Sequence, residues 1–168
     1  MLTLPEVHVT VTQSIAFLIV AAPLCLYVAW NDLRAMKIPT WSTDALAIMF
    51  VVVGFFVMPF DEYLWRYAHF GIVLIVAIIL NAIGAMGAGD SKFLASAAPF
   101  VALPDVGLVF YLLGGGLMVG LLIHRTARAI PAIRNLVPDW ASWSQGKRFP
   151  MGFAMGPVLI IYLALPLF

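Results

Sequence analysis

The sequence predicts an all-α, polytopic membrane protein of six transmembrane helices, the fourth of them short and preceded by a Gly-rich loop. Three observations carry this expectation. Of 168 residues, 64% are hydrophobic and only 10% are charged, whereas about a quarter of a typical soluble domain is charged. The charges are also unevenly spread, leaving uncharged runs at 7–31, 45–60, 67–89, 93–104, 106–124 and 149–168. Most of these approach the roughly 20 residues that a helix needs to cross hydrocarbon. Finally, when Lys and Arg are assigned to alternate sides of six spans, eight of the nine fall on one side.

Those eight are Arg34, Lys37, Lys92, Arg125, Arg128, Arg134, Lys147 and Arg148, in or beside the loops after spans one, three and five. Only Arg66 lies opposite, where Asp61, Glu62 and Asp105 also fall. Basic loops face the cytoplasm, so both termini are expected outside, in a multi-pass protein of the inner (cytoplasmic) membrane. The first run has no Lys or Arg ahead of it and no small-x-small cleavage site before Asp32, which marks a retained helix rather than a signal peptide. Cys25 is the single cysteine and lies within that run, so neither a disulfide framework nor a CxxC metal site is available. Residues 1–168 read as one integral membrane domain with a cytoplasmic loop at about 124–149. A net charge of +1, with basic residues placed by topology, gives no reason to expect nucleic acid.

The fourth span holds the chemistry. The stretch IGAMGAGDSKF at 83–93 puts three glycines, an aspartate and a lysine between apolar runs. The run 91–103 offers only about 13 residues, roughly 20 Å of helix against a core near 30 Å. If its outer end reaches Pro104 and Asp105, Asp90 lies about 10 Å inside the cytoplasmic edge. Non-helical backbone at that depth survives only where it is buried or lines a wet cavity. Gly87 and Gly89 are expected to permit positive φ and close approach of another chain. Asp90 can also serve as an N-cap, but Ser or Thr would cap without an ionisable group in the membrane, which is a functional-site signal.

Asp32 is the partner. It ends span one on the same side, in AWNDLRAMKIPTW, followed by Arg34, Lys37 and then Pro39, which stops the helix. Pairing of Asp32 with Arg34 is the structural alternative. Asp44 is a weaker candidate for the partner, since it can cap the second helix, with Thr43 as the alternative cap. Two carboxylates at one depth suggest an aspartyl protease: one deprotonates the attacking water while the other protonates the substrate, because their repulsion leaves the pair sharing a proton. His8, His69 and His124 are far apart in sequence and no serine sits in a G-x-S-x-G elbow, so no metal, cofactor or serine chemistry is expected.

These residues resemble a known family. GAGDSK resembles the GxGD motif of intramembrane aspartyl proteases, and the chain is more closely similar to the type IV prepilin peptidases. Their D-x-R…I-P-N pattern is met by Asp32, Arg34, Ile38 and Pro39, with Thr40 where Asn is usual. GxGDxK is met by Gly87, Gly89, Asp90 and Lys92, and a P-Y-G-x-A-like element by Pro150, Gly152 and Ala154, with Met151 where Tyr is common. The resemblance implies an aspartic endopeptidase that removes the basic leader of prepilins or pseudopilins at the cytoplasmic face, with Asp32 and Asp90 catalytic and the other motif residues binding substrate or shaping the site. For Lys92, an acidic substrate residue, a lipid phosphate and the positive-inside rule are open explanations.

Long-form members carry a segment with two CxxC pairs and methylate the new N-terminus. One cysteine and no such segment here make the chain similar to the short form of tight-adherence (Flp-type) pilus systems, without expected methyltransferase activity. Archaeal preflagellin peptidases share the motifs, leaving an archaellin-type substrate open, while presenilin-like relatives are larger and differ in the third motif. The implied partners are a prepilin substrate helix and membrane lipids. The loop at 124–148, with Trp140 and Trp143, reads as an interfacial anchor, or alternatively as a lid or a docking surface for pilus assembly machinery. The rival class is a small ion- or proton-coupled transporter, whose parts include broken helices and lone acids. No internal repeat supports it, although the glycines at 114–116 would allow tight packing. A non-catalytic assembly subunit would not need both aspartates.

Overall fold

A computed structural model describes residues 7–146 and 148–168, all helical or irregular, with no strand among them. The helices are α1 (Val11–Ala35), α2 (Thr40–Val57), α3 (Phe60–Ala82), α4 (Ala88–Ala97), α5 (Val106–Ala129), α6 (Pro131–Leu136) and α7 (Gly152–Ala164). Four candidate spans are long and apolar enough to cross a membrane: α1, α2, α3, and α5 with its leading turn, Leu103–Ala129. The other two predicted spans are shorter than the sequence runs suggest. α4 has 10 residues and α7 has 13, about 15 and 20 Å of helix.

The short helices lie inside and the long ones outside. α7 buries most of its length against α1 and α5, and α4 packs between α2 and α3. α5 packs mainly on α7 and leaves Phe110, Met118, Leu122 and Ile123 exposed, as expected of a surface whose solvent is lipid. At Gly156, an added Cβ would sit 2.5 Å from the Cys25 carbonyl oxygen; glycine there is what lets α7 touch the α1 backbone. The core joins α1, α2 and the 3-10 turn after α4 through Phe17, Phe50 and Phe100. Their ring centroids are 5.0–5.8 Å apart, within the range of favourable aromatic pairs.

The end of the bundle where the N-terminus enters is knitted by polar contacts. Asp105 is buried and accepts the His8 N–H at 2.9 Å, His8 Nδ1–H at 2.6 Å and the Tyr162 hydroxyl at 2.7 Å. Tyr162 in turn accepts the Ala102 N–H at 3.0 Å. Arg66, expected in a loop, is instead buried within α3, donating to Glu62 at 2.5 Å and to the Pro99 carbonyl at 3.3 Å. A guanidinium in an apolar bundle needs such partners.

At the opposite end the predicted caps are replaced. α2 starts at Thr40 with Pro39 as its N-cap, Thr43 bonds the Thr40 carbonyl, and Asp44 is exposed. Pro39 has no N–H to leave unpaired and its φ of −64° suits a helix entry. The loop after α5 also differs from an exposed anchor. Trp143 is buried, stacked on His124 with centroids 5.3 Å apart, and Arg125 and Arg128 both donate to the Gly146 carbonyl. Arginines that topology alone would explain thus also fasten the loop to α5.

Candidate active site

Asp32 lies in the last turns of α1, 5% exposed. Its Oδ2 accepts the Gly152 N–H at 2.7 Å. The start of α7, whose first N–H groups have no intrahelical partner, therefore points at a carboxylate, the charge that a helix N-terminus favours. Gly152 has no room for more: an added Cβ would lie 3.0 Å from Asp32 Oδ2 and 3.0 Å from Ile38 Cδ1. Pro150 is buried just ahead, closing the approach to α7 with its carbonyl accepting the Phe153 N–H.

Asp90 is half-buried in the first turn of α4, next to Gly89, against which Ile38 lies. It is not the N-cap. α4 begins at Ala88 with Gly87 as N-cap, and no side chain caps it. The Gly-rich break is therefore shorter than expected, confined to 83–87, and the expected left-handed backbone falls elsewhere: Gly87 has φ −72° and Gly84 has φ +75°. What stands close to Gly87 and Gly89 is this chain's own Asp90 and Ile38. A Cβ on Gly87 would meet Asp90 Oδ2 at 2.7 Å, and one on Gly89 would meet Ile38 Cβ at 3.1 Å. Both positions are occupied by neighbours rather than by strain.

The three motif elements thus meet at one place. Ile38 touches Gly89 of α4 and Gly152 of α7, Asp32 is bonded to Gly152, and Pro39 leads into α2. Two predicted residues sit apart from the carboxylates. Arg34 is exposed, with its guanidinium carbon 5.2 Å from the centre of the Trp30 ring, a cation–π contact in place of an Asp32 pair. Lys92 is exposed, with Nζ 3.4 Å from Thr40 Oγ1, linking α4 to the start of α2. Asn31, which sequence patterns do not single out, donates to the Lys37 carbonyl at 2.6 Å beside Asp32. No group of three or more His, Cys, Asp or Glu suited to a metal ion occurs among the described residues.

Long apolar helices around two short ones, with Asp32 at the end of α1 bonded to the start of α7 and Asp90 in the first turn of α4, define a helical membrane protein with a carboxylate beside the start of each short helix. The type IV leader peptidase family matches residues 19–124, a stretch that holds Asp32, Ile38, Gly89, Asp90 and Lys92. The match covers more than half of the chain, and the chain belongs to this family of peptidases. Neither a curated protein nor a solved structure matches it. Pro150 and Gly152 lie beyond the matched stretch, and it is the fold that brings Gly152 to Asp32.

Proposed function

We propose that the protein is an aspartic endopeptidase that removes the basic leader from Flp-like prepilins or pseudopilins at the cytoplasmic face of the inner membrane. Asp32 and Asp90 are its catalytic pair. The observation that carries this proposal is their setting: Asp32 is buried and held by the Gly152 N–H, and Ile38 lies against both Gly152 and Gly89, the residue before Asp90. In the proposed reaction the ionised member takes a proton from water as that water attacks the scissile carbonyl, and the protonated member supplies a proton to the carbonyl oxygen. Collapse of the tetrahedral intermediate then breaks the C–N bond, with the proton on the first carboxyl passing to the leaving amine.

Two further elements belong to the proposal. α4 and α7 complete a six-helix bundle in residues 1–168, although each is too short to cross an undeformed bilayer alone. Their starts are then recessed, so a leader that enters from the cytoplasm meets the pair below the membrane surface, along the exposed backbone of 84–87. The orientation follows the basic loops.

The test is processing of a co-expressed Flp-type prepilin by Asp32→Asn and Asp90→Asn. Both substitutions keep the shape and remove the acid. Loss of cleavage with membrane insertion intact is the expected result, and cleavage near the wild-type rate by either variant would overturn the assignment.

A further inference from the structure

Asn31 precedes Asp32 in α1, yet its side chain turns away from the carboxylate to the chain that leaves the helix. α1 ends through Met36, in a left-handed conformation at φ 53°, whose N–H closes on the Asp32 carbonyl at 2.9 Å. That conformation is uncommon for a residue with a Cβ and persists only where neighbours hold it. The next residue is held: Asn31 Nδ2 donates to the Lys37 carbonyl at 2.6 Å. Pro39 then fixes the entry to α2. Residues 36–39 thus form a short strap, tied to the Asp32 backbone at one end, to the Asn31 side chain in the middle and to α2 at the other end.

The strap carries Ile38, and Ile38 lies between the two halves of the site. Added Cβ atoms at Gly89 and Gly152 would come within 3.1 Å of Ile38 Cβ and 3.0 Å of Ile38 Cδ1. Gly89 adjoins Asp90, and Gly152 holds Asp32. A shift of Ile38 would press on the starts of both α4 and α7, beside Asp90 and the Gly152 N–H that holds Asp32. We propose that Asn31 is a positioning residue for peptide cleavage: its bond to Lys37 sets the strap, and the strap sets the spacing of Asp32 and Asp90 through Ile38. This rests on the proposed catalytic pair.

The bond is solvent-facing, so its removal is expected to leave folding nearly untouched, whereas small misplacement of reacting groups lowers rates strongly. The experiment compares Asn31→Ala, Asn31→Asp and Asn31→Gln in the full chain, by steady-state cleavage of a purified prepilin, with folded yield and Tm alongside. Asp is the same size but cannot donate to a carbonyl, and Gln keeps the donor on a longer arm. The expected result is a kcat lowered roughly ten- to a hundredfold in the Ala and Asp variants, with KM and Tm little changed and kcat partly recovered in Gln. Wild-type kcat in both the Ala and Asp variants, or a raised KM with kcat unchanged, overturns the proposal. So does a loss confined to folded yield, which a purely structural role predicts. Asp32→Asn in the same assay separates the two claims: its inactivity beside normal Asn31 variants rejects only the positioning role, whereas its activity rejects the pair itself.

Discussion

Gly152 gives its backbone N–H to Asp32 at 2.7 Å while standing too close to that carboxylate to carry a side chain of its own. The hydrogen bond needs only a backbone. The proximity needs glycine, because any Cβ would press on Asp32 Oδ2 and on Ile38 together. Gly152→Ala keeps the donor and adds a single methyl group. It is expected to displace Asp32 from its position and lower the specific activity at least tenfold, while Gly107→Ala, where the space is open, keeps it. Prepilin cleavage per unit of folded enzyme is the measurement. Normal activity for Gly152→Ala would show that the site tolerates a looser Asp32.

The same reasoning separates the loop glycines. At Gly89 the neighbour is Ile38, and at Gly87 it is the Asp90 carboxylate itself. Gly89→Val and Gly87→Val are therefore both expected to reduce cleavage severely, with protein abundance falling much less, since α3 and α4 keep their packing. Gly84 is an unsuitable control because its φ of +75° penalises any side chain; Gly114, with open space and ordinary helical backbone, is the proper comparison. Wild-type cleavage by both test variants would remove the loop from the site.

How far the site was legible in the sequence depends on what kind of force places each residue. Asp32 and Asp90 stand out because an ionisable group in an apolar run is costly wherever the chain goes, and the basic loops stand out because topology is a property of the whole chain. The start of α4 is less legible: Asp90 reads as an N-cap and Gly87 and Gly89 as sites of left-handed backbone, whereas the helix starts at Ala88 and it is Asp90 and Ile38 that crowd the two glycines. Trp143 reads as an interfacial residue by type, but only the fold brings His124 beneath it. Asn31 carries no signal at all, because its partner is a backbone carbonyl.

Chemistry by two carboxylates should be indifferent to metal chelators and to serine- or cysteine-directed reagents. Cys25, the single cysteine, is fully buried among apolar neighbours, away from any role as a nucleophile. Cleavage in the presence of chelator is expected at the wild-type rate. The profile of kcat against pH should have two limbs belonging to the pair as a unit, rather than a single transition near the imidazole range, and either aspartate-to-asparagine substitution should remove activity at every pH. Strict dependence on added zinc would overturn the mechanism.

The far end of the bundle should govern stability without touching the chemistry. Tyr162 is buried, accepts the Ala102 N–H and donates to Asp105, which is also buried and holds His8. Removing the hydroxyl leaves the Ala102 N–H without its partner and takes one of two donors from Asp105 Oδ2, which keeps the His8 N–H. Leaving buried groups unpaired costs about 1–3 kcal/mol each, so Tyr162→Phe is expected to lower Tm measurably in detergent. Asp105→Asn should do so as well, since an amide offers only one acceptor oxygen where the carboxylate offers two. Cleavage per folded molecule should stay at the wild-type level in both, because α7 runs 13 residues and the network sits near its end while Gly152 begins it. A drop in kcat at unchanged Tm would mean that the network reaches the aspartates through α7, and that the two ends of this helix are coupled rather than independent.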